Sequence, residues 1–208
     1  MRNVVLGAVC GLASVAAAQS ASLSIVASQS YIDTTVTDTM ILDVYADSSI
    51  GTHITGAAFT LSAMGGAGFI ESMSVLSVPS WGQLGFDDFG DGGDGNYNGL
   101  IMGQIVFLPF IQPDPASALG NGPVLLASFS VTFVTNMYSM VGWTVGGGLG
   151  TFVLEVIDVD ANPDGNPPGE VTQIANPEYG SMDLNIIPAP SGLAVLGLGG
   201  LVAGRRRR

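Results

Sequence analysis

Residues 123–135 read PVLLASFSVTFVT, and the fold class turns on this stretch. One face carries Leu125, Ala127, Phe129, Val131 and Phe133; the other carries Val124, Leu126, Ser128, Ser130, Thr132 and Val134. A side-chain period of two is that of a β-strand, and Val, Thr and Phe suit a pleated, half-buried surface. Residues 150–159, GTFVLEVIDV, repeat the pattern: Phe152, Leu154 and Val156 face one way, Thr151, Val153, Glu155 and Ile157 the other. Working outward, the same signal predicts strands at 23–27, 39–46, 57–63, 72–78, 100–108, 140–145 and 181–187, about nine in all. No segment carries a 3.6-residue apolar stripe with caps. The 30 glycines and 11 prolines suit turns and bulges rather than helices. The expected architecture is all-β, a single sandwich or jelly roll of about nine antiparallel strands spanning residues 19–187.

Charge narrows the function classes. The chain carries 5 Lys+Arg against 17 Asp+Glu, a formal net charge of −12. Every cation lies near a terminus: Arg2, then Arg205, Arg206, Arg207 and Arg208. The acids all fall between Asp33 and Asp183, with His53 the single histidine. Nucleic-acid binding requires clustered cations to neutralise phosphates, so it is excluded. So are reactions that hold phosphate or carboxylate substrates through Arg or Lys. The domain's carboxylates must rely on water, hydrogen bonds or bound cations.

Both termini read as addresses. Residues 1–18, MRNVVLGAVCGLASVAAA, give a basic start, a short apolar run and small residues at Ala16 and Ala18. This is the pattern of a secretory signal peptide cleaved before Gln19. The run is too short for a bilayer, which needs about 20 apolar residues. Val9 stands before Cys10 where lipoprotein signals place a small residue, which excludes lipidation. Cleavage removes Cys10, so the exported domain holds no thiol and uses neither thiolate chemistry nor cysteine-bound zinc. At the other end, Pro188-Ala189-Pro190-Ser191 precedes GLAVLGLGGLVAG (192–204) and the four arginines. As a helix, residues 186–204 would measure roughly 28 Å, close to a hydrocarbon core of about 30 Å. The arginines would keep that end cytoplasmic.

This three-part tail, residues 188–208, resembles the PEP-CTERM sorting signal, in which a Pro-Glu-Pro motif precedes a short transmembrane helix and a basic end. Here Ala189 stands in place of the central Glu. The resemblance implies transient anchoring in the inner membrane and recognition by an exosortase-type sorting enzyme. It also implies cleavage near Pro188–Pro190, with release or attachment at the cell surface or extracellular matrix. A permanent anchor is the alternative. Within the domain, LLASFSVTF followed by GTFVLEVIDVD (residues 123–160) looks like the late strands of cohesin-like and related carbohydrate-binding jelly rolls. That likeness implies architecture; function resides in sites grafted on such folds.

Two loops carry candidate chemistry. Asp158, Asp160, Asn162 and Asp164, followed by Gly165, place oxygens at alternate positions, as a hard cation such as Ca²⁺ needs. The second half of an EF-hand or dockerin loop is missing, because Val171 stands where the terminal Glu belongs. An Asx-rich turn is the alternative. Residues 81–99 hold Asp87, Asp88, Asp91 and Asp94 beside Trp81, Phe86, Phe89 and Tyr97. The acids could hold Ca²⁺, and Trp81, Phe89 and Tyr97 could stack on a sugar. A glycine-rich loop whose aromatics plug the sandwich end is the alternative. His53 has no G-x-S-x-G nucleophile to serve, so no triad is expected. Chance pairs among 17 acids do not define a glycosidase site. The expected protein is a non-enzymatic, exported surface or matrix module that adheres to exopolysaccharide or to another surface protein. A carbohydrate-binding module is the alternative, and a polysaccharide hydrolase the third reading.

Overall fold

The computed structural model describes residues 20–65, 67–134, 139–162 and 168–187. The signal peptide with Ala16 and Ala18, the cleavage residue Gln19, Asp164, and the tail from Pro188 to Arg208 lie outside the described residues. Among the described residues no helix is long and apolar enough to cross a membrane. The only helical elements there are three 3₁₀ turns, Ala67–Phe69, Ser80–Gly82 and Pro115–Ser117.

The strands in chain order are β1 (Ala21–Ala27), β2 (Tyr31–Asp33), β3 (Thr39–Ser48), β4 (His53–Met64), β5 (Ile70–Ser77), β6 (Asp87–Asp88) and β7 (Asp91–Gly93). They continue with β8 (Asn96–Gly103), β9 (Val124–Phe133), β10 (Ser139–Gly146), β11 (Leu154–Asp158), β12 (Glu170–Ile174), β13 (Glu178–Tyr179) and β14 (Ser181–Ile187). One sheet has the order β13-β1-β3-β9-β5. The other is built on β4, which pairs along one edge with β8 and along the opposite edge with β11 and then β10. Strand β12 extends it beyond β11, β14 and β2 extend it beyond β10, and the short β6 and β7 pair with β8. All nine expected strands are present. The expectation of an antiparallel set of about nine is corrected on two points. Five further strands are present, of which β2, β6, β7 and β13 have only two or three residues and cannot show a period, and two pairings, β1–β13 and β14–β2, are parallel. The expected strand 100–108 also begins earlier, at Asn96, and ends at Gly103.

The core lies between the sheets. Along β3, Met40, Leu42, Val44 and Ala46 alternate inward, as a period of two requires. Strand β9 departs from its own alternation. Val44 pairs with Ala127 but Tyr45 with Leu125, so β9 carries one extra residue against β3. Such a bulge reverses which face the side chains meet. Leu126 and Val124 therefore turn inward beside Ala127, Phe129, Val131 and Phe133, while Leu125 is left half-buried outside. Phe129 joins the sheets, edge-on to Phe59 at 6.3 Å and to Tyr97 at 4.9 Å between ring centroids. Phe133 meets Trp143 in the same manner at 6.3 Å, and the buried Trp143 Nε1 donates to the Gly95 carbonyl at 3.0 Å.

At the far edge one segment crosses between the layers. Gly180 donates to the Leu23 carbonyl of the first sheet at 2.7 Å and accepts from Val145 of the second at 3.2 Å. A Cβ there would fall 2.9 Å from the Leu23 oxygen and 3.0 Å from Ser24 Cα, so the crossing requires glycine.

Candidate functional site

The long strand β4 gives the sandwich two poles, separated by roughly 35–40 Å at 3.3 Å per residue. At the pole where β4 starts, Gln104 donates its backbone N–H to the Thr55 carbonyl, and His53 bridges to Ala118. The connection 104–123 therefore lies there. At the other pole, Gly142 pairs with Met64 and Ser139 with Ile186. Ile187, the last described residue, leaves from this second pole.

The two aspartate groups lie at different places along this axis. Asp158 ends β11 at the first pole, where Asp160 donates its backbone N–H to Asp158 Oδ1 at 3.1 Å and Asn162 adopts a left-handed φ of 49°. This is a local Asx turn. Asp160 also faces His53, whose Nδ1 lies 3.1 Å from Thr52 Oγ1. Burial lowers the His53 pKa from its ordinary value, and the Asp160 charge opposes the shift.

The 81–99 aspartates serve their own backbone. Asp88 Oδ1 accepts from the Tyr97 hydroxyl and from Gly90 N–H. Asp91 accepts from Gly93 N–H at 2.8 Å and, with its other oxygen, from Met73 N–H of β5 at 2.9 Å. This second bond ties the loop to the edge of the opposite sheet. Asp94, at φ 52°, and Gly95, at φ 77°, form the two-residue turn between β7 and β8, the left-handed Asp-Gly hairpin geometry. Asp87 pairs with Ile101 along β8. Among the described residues no three His, Cys, Asp or Glu side chains converge on a point that could hold a metal ion.

Of the two readings of this loop, an aromatic platform at the surface and a plug in the sandwich end, Trp81 and Tyr97 follow the plug. Trp81 and Tyr97 are buried in the core, and of the three rings Phe89 alone faces solvent. The physical reason is the strand pattern: Tyr97 shares the inward face of β8 with Gly99 and Leu100 on either side of a bulge against β4. Burial, the bond to Asp88 and the charges of Asp88 and Asp91 raise the Tyr97 pKa, so the phenol stays protonated. Trp81 Nε1 is buried without a hydrogen-bond partner among the described residues.

A surface that sequence reading missed stands at the first pole. The expected strand 100–108 runs into residues 105–111, IVFLPFI, but Gly103 ends the strand and Gln104 turns the chain. Gln104 Nε2 donates to the Ile54 carbonyl at 2.6 Å and to Ser117 Oγ at 2.8 Å, while its Oε1 accepts from Asp114 N–H at 2.8 Å. The loop above this anchor leaves Ile105, Phe107, Phe110 and Ile111 exposed. Pro109 inside the apolar run was the available signal, because proline cannot donate to a central ladder.

The chain matches no protein-family model, and no curated protein matches it. Among solved structures it is similar to the seventh ScaB type I cohesin of Pseudobacteroides cellulosolvens, at 10% identity over 83% of this chain and 96% of that one, with a TM-score of 0.44. The sixth cohesin of Acetivibrio cellulolyticus scaffoldin B, solved with a dockerin, is similar at 11% identity over 81% and 99% of the two chains, with a TM-score of 0.44. The sandwich assignment rests on the strand pairing described above.

Proposed function

We propose that the chain is an exported, non-enzymatic cell-surface or matrix protein whose sandwich is an interaction module. Residues 1–18 deliver it, and residues 188–208 anchor it in the inner membrane until an exosortase-type enzyme processes the tail. The observation that carries the interaction reading is the polarity of the sandwich. The chain leaves toward the tail from one pole, while large apolar side chains stand exposed on an anchored loop at the other. A module held at the Ile187 pole would present the apolar loop outward. Deleting residues 188–208 is the test: the truncated chain should appear in the medium, and undiminished cell association would overturn the anchoring role. Intact mass measurement of the protein from its own cells would report both cleavages.

Calcium enters this reading at Asp158, Asp160, Asn162 and Asp164, supported by the alternate oxygens and by the left-handed Asn162 that curls the loop. Carbohydrate binding is a second reading, favoured by an open groove of about 420 Å³ on the outer face of the five-stranded sheet. Its lining includes Ser28, Gln29, Thr37, Thr39 and Ser130 beside Ile41 and Leu76, hydroxyls and an amide with apolar patches between them. A glycan array probed with wild type and Thr39→Ala tests it, and failure of wild type to bind any polysaccharide removes it.

A further inference from the structure

The run 105–111 holds no charged residue, yet it stands in solvent at the pole opposite Ile187. Ile105 is 61% exposed, Phe107 59% and Phe110 79%. Several large apolar side chains exposed together in one short loop, two of them stacked aromatics, mark a place of contact. The loop is built rather than slack. Phe107 N–H donates to the Ile111 carbonyl at 3.0 Å, and Ile111 and Phe110 each return an N–H to the Phe107 carbonyl at 2.8 Å. The Phe107 and Phe110 rings stack at 5.8 Å with 20° between planes. Gln104 and Ser117 pin its base to β4. A preformed aromatic pair of this kind loses little freedom on binding, the main cost that flexible loops incur.

Acids edge this knuckle. A Cβ on Gly169 would fall 2.8 Å from Leu108 Cδ1 and 3.3 Å from the Asp158 carbonyl, so the knuckle rests on the end of the β11–β12 hairpin. There Asp158 pairs with Glu170, and Asp160 follows. Asp114 lies in the same connection, ten residues beyond the Gln104 side chain that accepts its N–H. Resting on the reading of the sandwich as an interaction module, we infer that this knuckle docks a protein partner presenting an apolar pocket edged by Lys or Arg. The pocket receives Phe107 and Phe110; the basic edge meets Asp114, Asp158, Asp160 and Glu170. Charge selects this occupant over a second copy. No Lys or Arg lies between Arg2 and Arg205, so two copies would set carboxylates against carboxylates. The same acids disfavour an anionic lipid surface, and Ile187, after which the apolar tail follows in sequence, lies at the far pole.

The test uses the full chain immobilised through its C-terminus. The analytes are three synthetic amphipathic peptides, Leu/Lys, Ala/Lys and Leu/Glu, together with zwitterionic vesicles and the free chain itself. The Leu/Lys peptide should bind tightest. Its affinity should fall at least tenfold in Phe107→Ser/Phe110→Ser, and severalfold in Asp158→Asn/Glu170→Gln and on raising salt. The two phenylalanines are exposed, so the double variant should keep the wild-type melting midpoint, which separates lost docking from lost folding. Undiminished Leu/Lys binding by the phenylalanine variant would overturn the inference, as would equal binding of Ala/Lys or Leu/Glu. Capture of vesicles or of the free chain, lost in that variant, would assign the knuckle to lipid or to self-association instead. Surface labelling of the cells that produce the protein keeps the two readings apart. Protein at the surface with an indifferent knuckle defeats this inference alone; protein retained inside the cell defeats the interaction-module reading.

Discussion

Adjacent leucines in β9 offer a sharp test of the fold, because alternation alone assigns them to the wrong faces. Leu125 continues the Ala127–Phe129–Val131–Phe133 series, yet the extra residue opposite Val44 and Tyr45 turns Leu126 inward and leaves Leu125 half-buried beside Tyr45. Leu126 is fully buried among residues of the main core. Replacing it with alanine removes three carbon atoms and leaves a cavity between two sheets that cannot collapse freely, a loss of about 2–5 kcal/mol. Leu125→Ala removes the same atoms from a partly solvated face, where about 1 kcal/mol or less is expected. For a domain of this size each kcal/mol moves the midpoint by about 2–4 °C, so a 3 kcal/mol loss at Leu126 corresponds to about 6–12 °C. Leu125→Ala should move it by no more than about 4 °C. Thermal and urea denaturation of the two variants in parallel reads the difference, with an unchanged urea slope showing that the unfolded state is not the cause. Equal losses, or a larger loss at Leu125, would refute the bulge and return β9 to simple alternation.

Gly95→Ala should destabilise the fold by about 1–3 kcal/mol from backbone strain alone. Its φ is 77° and a Cβ would lie 2.2 Å from Ile70 Cδ1, so the packing loss adds to that; a melting midpoint within a degree of wild type would count against it. Tyr97→Phe removes the hydroxyl that donates to Asp88, a charge-assisted bond contributing about 1.5–3 kcal/mol. Because the folded Tyr97 pKa is raised above its ordinary value, that contribution is complete below about pH 10 and is lost as pH rises toward the folded value. The stability gap between wild type and Tyr97→Phe should therefore hold up to about pH 10 and shrink progressively above it, and a constant gap above that pH would reject the titration. His53 has a lowered pKa, so wild type should lose stability relative to His53→Gln as pH falls below about 6.5; parallel curves would exclude it. Sodium chloride should raise the melting midpoint by screening the acids, and Ca²⁺ at equal ionic strength should raise it further through the 158–164 loop. Identical midpoints in Ca²⁺ and in chelator would remove that site.

The major strands were legible because each buries one face across many residues. In β3 the alternation of Met40, Leu42, Val44 and Ala46 is uninterrupted, and its sequence and burial agree position by position. The bulge in β9 was hidden because Leu125 and Leu126 are chemically equivalent; only the pairing partner distinguishes them. Strands β6, β7 and β13 were hidden for another reason. Two or three residues cannot display a period, and these form because a neighbouring strand offers an edge. The chemistry of the aspartates was legible, their arrangement was not. Asp88 and Asp91 lie close in sequence, but one bonds a tyrosine of the same hairpin and the other a backbone amide of the opposite sheet. Trp81 and Tyr97 show the same limit: an aromatic in a glycine-rich stretch reads equally as platform or plug, and the strand pairing that follows decides.

The acidity of the domain and its apolar knuckle are physically connected. An exposed aromatic pair on a neutral surface invites copies of the chain to associate, as any large apolar patch does. Here 17 acids lie between the terminal arginines, and none has a Lys or Arg of the domain to neutralise it. Several of these short side chains accept hydrogen bonds from the nearest backbone amides, as at Asp33–Thr35, Asp47–Ser48, Asp88–Gly90 and Asp114–Ala116. Those turns fix the carboxylates while leaving their charge facing water. Like copies therefore repel before their knuckles meet, over a range of about 8 Å at physiological salt. A partner of opposite charge is drawn in over the same range and then finds the apolar pair uncovered. Neutralising the acids around the knuckle should thus cost specificity before it costs stability, and the first sign would be stronger self-association of the variant than of wild type.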